Sequence, residues 1–118
     1  MARNLYFLGT AGSGKSTMVF AFQLWMNSQG LDCITVNLDP GAEALQYSPD
    51  LDVRDYVNIE EIMTEQGLGP NGAQVAAADM VAMNAKELAD VCNRRRVQIL
   101  HRSDSRMRIS MIAKTHFK

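Results

Sequence analysis

Gly9-Thr-Ala-Gly-Ser-Gly-Lys-Ser16 is the stretch that decides the fold of this chain. It satisfies the pattern G-x-x-x-x-G-K-[ST] at every constrained position. The small residues of such a loop let backbone N–H groups curl around a polyphosphate, and the following helix presents its positive end to the same charge. The pattern places Lys15 at the terminal phosphates and the Ser16 hydroxyl at Mg²⁺.

The flanks of this loop supply the context that the pattern needs. Asn4-Leu-Tyr-Phe-Leu8 is a short, mostly apolar run that suits a buried strand. On the other side, Met18, Phe22 and Trp25 recur at helical spacing, and Gly30 marks a plausible stop. A Gly/Ser-rich turn with an exposed lysine is the alternative interpretation. Because strand, loop and helix follow in the required order, the sequence predicts a nucleoside triphosphate site.

A second strand is indicated at Cys33-Ile-Thr-Val-Asn-Leu38, which is rich in β-branched residues. It completes a strand–helix–strand unit of the size expected for a right-handed parallel crossover. Asp39-Pro-Gly41 then breaks the chain at the carboxyl end of the strand. Ligands bind at that edge of an open parallel sheet, so we expect the Asp39 carboxylate to share a crevice with the phosphate loop.

The middle of the chain reads as a connector followed by helices. Residues Glu43 to Tyr56 are acidic and contain Pro49, which predicts an irregular segment. Asn58-Ile-Glu-Glu61 has the form of a capping box and predicts a short helix that ends at Gln66.

A tight loop and a long helix are expected next. Gly67-Leu-Gly-Pro-Asn-Gly72 predicts a non-helical loop because it combines proline with three glycines. An alanine-rich helix is predicted from about Ala73 to Val91, with Asn71 or Gly72 as its N-cap.

Length and composition fit one modest domain. The chain has 118 residues, of which 47% are hydrophobic, and no apolar run approaches the length of a membrane span. Cys33 and Cys92 lie far apart without a CxxC pattern, which favours two reduced thiols in a cytoplasmic protein over a disulfide. No membrane partner is expected.

These motifs, in this order and spacing, make the chain similar to the GPN-loop GTPases, especially their archaeal members. The resemblance runs from about Asn4 to about Val91. The stretches that carry it are GTAGSGKST (9–17), NLDPGAE (37–43), YSPDLDVRDYV (47–57) and GLGPNGA (67–73).

The resemblance implies an α/β fold with a P-loop NTPase-type parallel sheet flanked by helices. It also implies Mg²⁺-dependent hydrolysis of GTP by a homodimer, in which the Gly-Pro-Asn loop of one subunit approaches the phosphate site of the other. That role falls here on Asn71, whose amide can donate to a phosphate oxygen. By the same resemblance, Asp39 lies near the Mg²⁺ and the attacking water.

One site collects these expectations. Lys15, Asp39 and Asn71 are its catalytic candidates, and Ser16 and Asp39 are its metal ligands. The expected nucleotide-binding residues are Gly9, Thr10, Ala11, Gly12, Ser13, Gly14, Lys15, Ser16, Thr17, Gly69, Pro70 and Asn71. ATP remains the alternative nucleotide, since GTP is implied by the resemblance alone. A P-loop ATPase or kinase and a binding module without turnover are the competing functions.

The family pattern fails after Val91. Members of the family continue into an apolar strand that ends in Asp-x-Pro-Gly-Gln and supplies the Walker B aspartate; this strand is missing here, as is the base-recognition element. The first 93 residues hold four cations and twelve carboxylates, a net charge of −8, whereas residues 94–118 hold eight cations and one carboxylate, a net charge of +7. The expected division is therefore 1–92, part of a GTPase domain, and 93–118, a basic tail.

Three interpretations of the tail stay open. In the first interpretation the gene is frameshifted or truncated near Val91, so that the tail is out-of-frame sequence and the sheet is incomplete. Alternatively, Val97–Leu100 is a degenerate third strand, with Asp104 in the Walker B position. In the third interpretation the tail binds a polyanion, but Phe117 is its one aromatic residue, so nucleic acid is not an expected partner.

The missing strand has a structural consequence. In sheets of the GTPase class the Walker B strand separates the first two strands, whose backbone groups then need another partner. Open strand edges would make the chain marginally stable or prone to aggregation.

Overall fold

The computed structural model of the chain describes residues 2–10, 12–100 and 108–115. In these residues the chain forms a parallel four-stranded sheet with helices around it, as predicted. The strands are β1 (Ala2–Gly9), β2 (Cys33–Asn37), β3 (Leu51–Asp52) and β4 (Arg108–Thr115). The helices are α1 (Lys15–Ser28), α2 (Ile59–Gln66), α3 (Pro70–Met83) and α4 (Ala85–Leu100).

The strand order is β1-β4-β2-β3. The expectation that the first two strands are not neighbours is confirmed. β4 pairs with β1 from Ala2↔Arg108 to Gly9↔Thr115, and with β2 from Cys33↔Ile109 to Asn37↔Ala113. A segment that the sequence assigned to the basic tail therefore supplies the strand between β1 and β2.

Helices cover both faces of the sheet. α1 packs on β1, β2 and β4, whereas α4 packs on β2 and β3. Successive residues of a strand point to opposite faces, so the sheet contributes to two separate apolar clusters. The α1 cluster contains Val19, Met26, Cys33, Tyr47 and Met111. The opposite cluster contains Ile34, Val36, Leu51 and Ile112, against which Val91 and Cys92 of α4 pack.

Cys33 and Cys92 are not joined in a disulfide, and Cys33 lies in the core of β2. Burial, with smaller contributions from the charges of Asp50 and Asp32, raises the pKa of the Cys33 thiol to about 11. The thiol is therefore an unreactive packing group at neutral pH. None of the described helices combines the length and the apolar character needed to cross a membrane.

The connector between β2 and α2 is more ordered than predicted. It contains the two-residue strand β3 and a 3₁₀ turn at Val53–Asp55. Asp50 extends the pairing of β2 beyond this short strand, since its carboxylate accepts a hydrogen bond from the backbone N–H of Thr35 at 2.8 Å. Asn58 is the N-cap of α2, as the sequence predicts, because its side chain accepts from the N–H groups of Glu60 and Glu61.

The prediction of a non-helical loop over residues 67–72 is wrong at its end. α3 begins at Pro70, and its N-cap is Gly69 rather than Asn71 or Gly72. Proline is compatible with the first helical position, since its ring fixes a helical φ and the N–H that it lacks would have no partner within the helix.

The single helix predicted from 73 to 91 is also wrong. Asn84 divides it into α3 and α4. The side-chain amide of Asn84 donates to the Met80 carbonyl oxygen at 2.8 Å, and the Asn84 carbonyl accepts from the Leu88 N–H at 3.0 Å. One residue thus satisfies the end of one helix and the start of the next.

α4 extends into the basic segment. It runs through Leu100, so the interpretation of Val97–Leu100 as a strand is wrong, and the helix crosses the expected division after residue 92. Asp104, the carboxylate of that interpretation, lies outside the described residues.

Candidate nucleotide-binding site

The loop between β1 and α1 needs its glycines. Gly12 and Gly14 have φ values of 76° and 89°, in the left-handed region that side chains disfavour. A Cβ atom on Gly9 would lie 2.5 Å from the Ser13 hydroxyl oxygen. Backbone conformation and close packing therefore explain the glycines of the pattern. Ala11, which was expected to contact nucleotide, lies outside the described residues.

The N-terminus of α1 has the character of an anion site. Its N-cap is Gly14, which offers no side-chain oxygen to the first-turn N–H groups, and the first turn carries no acidic residue. These N–H groups have no acceptor within the helix, and the helix dipole adds partial positive charge. A phosphate would satisfy both.

Lys15 folds back over the loop. Its ammonium nitrogen donates to the Thr10 carbonyl oxygen at 3.0 Å, and the Ser13 N–H donates to the same oxygen at 3.2 Å. Ser16 is half-buried in the first turn of α1, whereas Thr17 is exposed. The cation thus lies at the loop whose ligand it would neutralise.

The register of the sheet places Asp39 at the same edge. Gly9 pairs with Thr115, and Asn37 pairs with Ala113. Asp39 follows Asn37 by two residues, which puts it level with Thr115 and Gly9. One strand separates the two loops, a distance of about 10 Å. The register therefore places the phosphate loop and the Asp39 segment at the same edge of the sheet, on either side of β4.

The Gly69-Pro70-Asn71 segment lies beside the Asp39 loop. All three residues are exposed; Gly69 is the N-cap of α3, and Pro70 and Asn71 are its first two residues. A cavity of about 470 Å³ separates this turn from the loop after β2; its lining includes Pro40, Gly41, Arg54, Pro70 and Gln74. Asn71 is therefore presented on the surface of the described chain.

Sequence reasoning assigned no role to three polar residues behind this loop, Asn37, Asp52 and Arg54. Asn37 and Asp52 are register partners at the carboxyl ends of β2 and β3. Burial alone would raise the pKa of Asp52, but hydrogen bonds from Arg54 and Asn37 outweigh it and hold the pKa below its usual value. The sequence signal that could have identified them is a pair of polar residues at the carboxyl ends of two adjacent parallel strands.

Tyr47 brings a second unassigned group to this region. Its side chain is 5% exposed and packs in the α1 cluster, and its hydroxyl has no hydrogen-bond partner among the described residues. Burial, together with the charge of Asp52, raises the pKa of this phenol to about 12. The hydroxyl is therefore protonated at neutral pH.

The Tyr47→Phe variant should unfold at the same or a higher urea concentration than the wild-type chain. An unpaired buried hydroxyl costs about 1–3 kcal/mol in desolvation, and phenylalanine keeps the ring without that cost. Urea unfolding followed by circular dichroism measures the difference. A loss of about 1 kcal/mol or more would instead mean that the hydroxyl makes a stabilising hydrogen bond.

The donor set suits Mg²⁺ bound together with phosphate. No group of three or more His, Cys, Asp or Glu side chains gathers in the described residues. A cation would depend on the Ser16 hydroxyl, the Asp39 carboxylate and ligand oxygens. Mg²⁺ fits this arrangement, because it prefers oxygen ligands and usually retains waters beside one or two carboxylates and substrate phosphates.

Fold and loop together define a class of protein. A parallel sheet whose first strand leads through a glycine-rich loop into an uncapped helix is the arrangement of P-loop nucleotide-binding proteins. A protein-family model described as "Conserved hypothetical ATP binding protein" matches residues 7–101.

Named relatives narrow the class. The GPN-loop GTPase PAB0955 of Pyrococcus abyssi is 48% identical over 73 residues, which are 62% of this chain and 29% of that protein. GPN-loop GTPase 3 of Kluyveromyces lactis is 44% identical over 77 residues, 65% of this chain and 28% of that protein. The chain belongs to the GPN-loop GTPase family, and its sequence matches cover less than a third of the length of these relatives.

The fold agrees over a longer stretch than the sequence. The crystal structure of PAB0955, described as a GTPase in apo form, matches with a TM-score of 0.76 and 35% identity, over 95% of this chain and 41% of that chain. Residues 1–92 are only 92 of the 118 residues, so the match extends into the basic segment.

Proposed function

We propose that this chain binds GTP with Mg²⁺ in the loop Gly9–Ser16, and that a full-length protein of this family built on it hydrolyses GTP as a homodimer. The observation that carries the proposal is the N-terminus of α1, which has no side-chain cap and follows a loop of left-handed glycines. A cytoplasmic setting belongs to the proposal and is supported by Cys33 and Cys92, which are not joined in a disulfide.

Each residue of the site has a stated task. The N–H groups of the loop and of the first turn of α1 donate to phosphate oxygens, and Lys15 leaves the Thr10 carbonyl to neutralise the terminal phosphates. Ser16 and Asp39 hold or orient the metal, and Asp39 can also orient the attacking water. Bound Mg²⁺ would neutralise charge that develops on the phosphates.

Asn71 completes the proposed site from the second subunit. Its position in the first turn of α3 is exposed, and Gly69 and Pro70 fix the backbone that presents it. An amide donates to phosphate oxygen without changing the net charge of the site.

A binding module without turnover is the second candidate. β4 lies between the phosphate loop and Asp39, and none of its residues, Arg108–Thr115, is a carboxylate. P-loop enzymes use an acidic residue of this kind to hold Mg²⁺. Its absence from the strand favours retained binding with little hydrolysis.

Titration with a fluorescent GTP analogue in the presence and absence of Mg²⁺ tests the binding proposal. We expect saturable, Mg²⁺-enhanced binding that unlabelled GTP displaces more effectively than ATP. Displacement by ATP but not by GTP would mean that the nucleotide of this site is ATP rather than GTP. Single-turnover phosphate release then separates the GTPase from the binding module.

A further inference from the structure

The loop that carries Asp39 is held by side chains from two neighbouring strands. Asn37, the last residue of β2, accepts a hydrogen bond from the Asp39 N–H through its side-chain oxygen at 3.0 Å. Its amide nitrogen donates to the Asp39 carbonyl oxygen at 3.2 Å. The Asn37 side chain, 1% exposed as a residue, therefore brackets both backbone groups of Asp39.

Asp52 connects this bracket to β3. Its Oδ1 accepts from the Asn37 amide at 2.9 Å and from the Arg54 N–H at 3.0 Å. The first contact leaves the Asn37 side chain one orientation in which all its partners are satisfied. Asp52 thus fixes the residue that brackets Asp39.

Arg54 closes the network on the far side of the loop. Its Nε and Nη2 engage the Asp52 carboxylate, with Nη2 2.6 Å from Oδ2. The remaining terminal nitrogen, Nη1, donates to the Ala42 carbonyl oxygen at 2.8 Å. A planar guanidinium can donate two hydrogen bonds to a carboxylate from one edge while a third nitrogen donates elsewhere, which a lysine ammonium cannot do in the same geometry.

Within the loop, Asp39 is tied to its own turn. Its Oδ1 accepts from the Gly41 N–H at 3.0 Å, and its carbonyl accepts from the Ala42 N–H at 3.3 Å. A movement of Ala42 is therefore transmitted to Asp39 through the turn. Arg54 holds Ala42, and Asn37 holds Asp39.

We propose that Arg54, acting with Asp52 and Asn37, is a positioning residue that fixes the Asp39 carboxylate relative to the phosphate loop. This rests on the proposed function, in which Asp39 orients Mg²⁺ or water. The network itself consists of contacts within the chain. It can therefore be tested separately from ligand binding.

Hydrogen exchange tests the positioning directly. In Arg54→Ala we expect the amides of Asp39, Gly41 and Ala42 to exchange about tenfold faster, since the loss of a hydrogen bond to a charged group lowers the cost of local opening. Arg54→Lys should behave similarly, because one ammonium cannot serve Asp52 and Ala42 in the same fork geometry. Arg94→Ala, which removes an exposed arginine of α4, is the matched control.

Exchange in α2 serves as the check on folding. If Arg54→Ala also accelerates exchange in α2, the Asp52→Asn variant is used in place of Arg54→Ala. That change keeps the shape of the side chain and weakens only the paired contact between residue 52 and the Arg54 guanidinium. Unchanged exchange at Asp39, Gly41 and Ala42 in Arg54→Lys and Asp52→Asn would overturn the proposal.

Nucleotide binding provides the second readout. In both Arg54 variants, affinity for the GTP analogue without Mg²⁺ should stay within about twofold of wild type, since the phosphate loop is untouched. The gain in affinity on adding Mg²⁺ should fall about tenfold, the effect of about 1.4 kcal/mol. A full Mg²⁺ effect in both variants contradicts the positioning role. A wild-type chain without any Mg²⁺ effect contradicts the proposed function instead, and the exchange result still decides whether Arg54 holds the loop.

Discussion

Replacing Lys15 with alanine is expected to weaken binding of a GTP analogue by about 100-fold. A hydrogen-bonded cation facing a phosphate contributes about 1.5–3 kcal/mol, and the upper end of that range is worth about two orders of magnitude in Kd. Lys15 already lies over the loop, with its ammonium on the Thr10 carbonyl. Fluorescence titration in Mg²⁺ measures the change.

Lys86→Ala is the matched control for this experiment. Lys86 is an exposed lysine on α4, so its loss removes the same charge without touching the loop. The stability of Lys15→Ala should stay close to wild type, because the bond from Lys15 to Thr10 is exposed. Equal affinity of wild type and Lys15→Ala would remove Lys15 from the site.

Replacing Met111 with alanine should lower the free energy of unfolding by about 2–5 kcal/mol, the cost of a large-to-small change in a core. Met111 is 0% exposed, lies on β4 and packs against Val19 and Met26 of α1. The experiment asks whether β4 belongs to the sheet. Urea unfolding followed by circular dichroism measures the loss.

Met83→Ala makes the same chemical change at a residue that is 84% exposed, so its unfolding free energy should change by less than about 0.5 kcal/mol. If Met111→Ala does not fold at all, Met111→Leu tests the same position at nearly constant volume, with an expected cost below about 1.5 kcal/mol. Similar stabilities for Met111→Ala and Met83→Ala would place residue 111 outside the core.

The parts of the fold that local chemistry determines were predictable. The loop needs glycine at φ values that other residues disfavour, and Asn58 satisfies backbone donors two and three residues away. Such signals lie within one short segment. The first two strands, α1 and α2 were therefore predicted near their observed positions.

Predictions failed where tertiary packing or one side chain overrode a local rule. The turn rule reads proline as a helix breaker, although Pro70 suits a first helical position. The break at Asn84 depends on one amide competing for the Met80 carbonyl, which a run of alanines conceals. In the basic segment, charge masked two apolar residues, Met111 and Ile112, that the sheet buries.

The sequence pointed to candidate ligand-binding residues and not to the network that supports them. Lys15 and Asp39 follow from motif positions. Arg54 acts on Asp39 through Ala42, a contact between residues twelve positions apart that only the folded chain creates.

The position of β4 also governs the order in which this domain can be assembled. β1 pairs with residues 108–115 and β2 with residues 109–113, although about 100 and 75 residues of chain separate them from these partners. A ribosome must therefore deliver β4 before β1 and β2 can join one sheet, and contacts of such long sequence separation slow folding. Until then the nascent strands have backbone groups that a chaperone, or another copy of the chain, can reach.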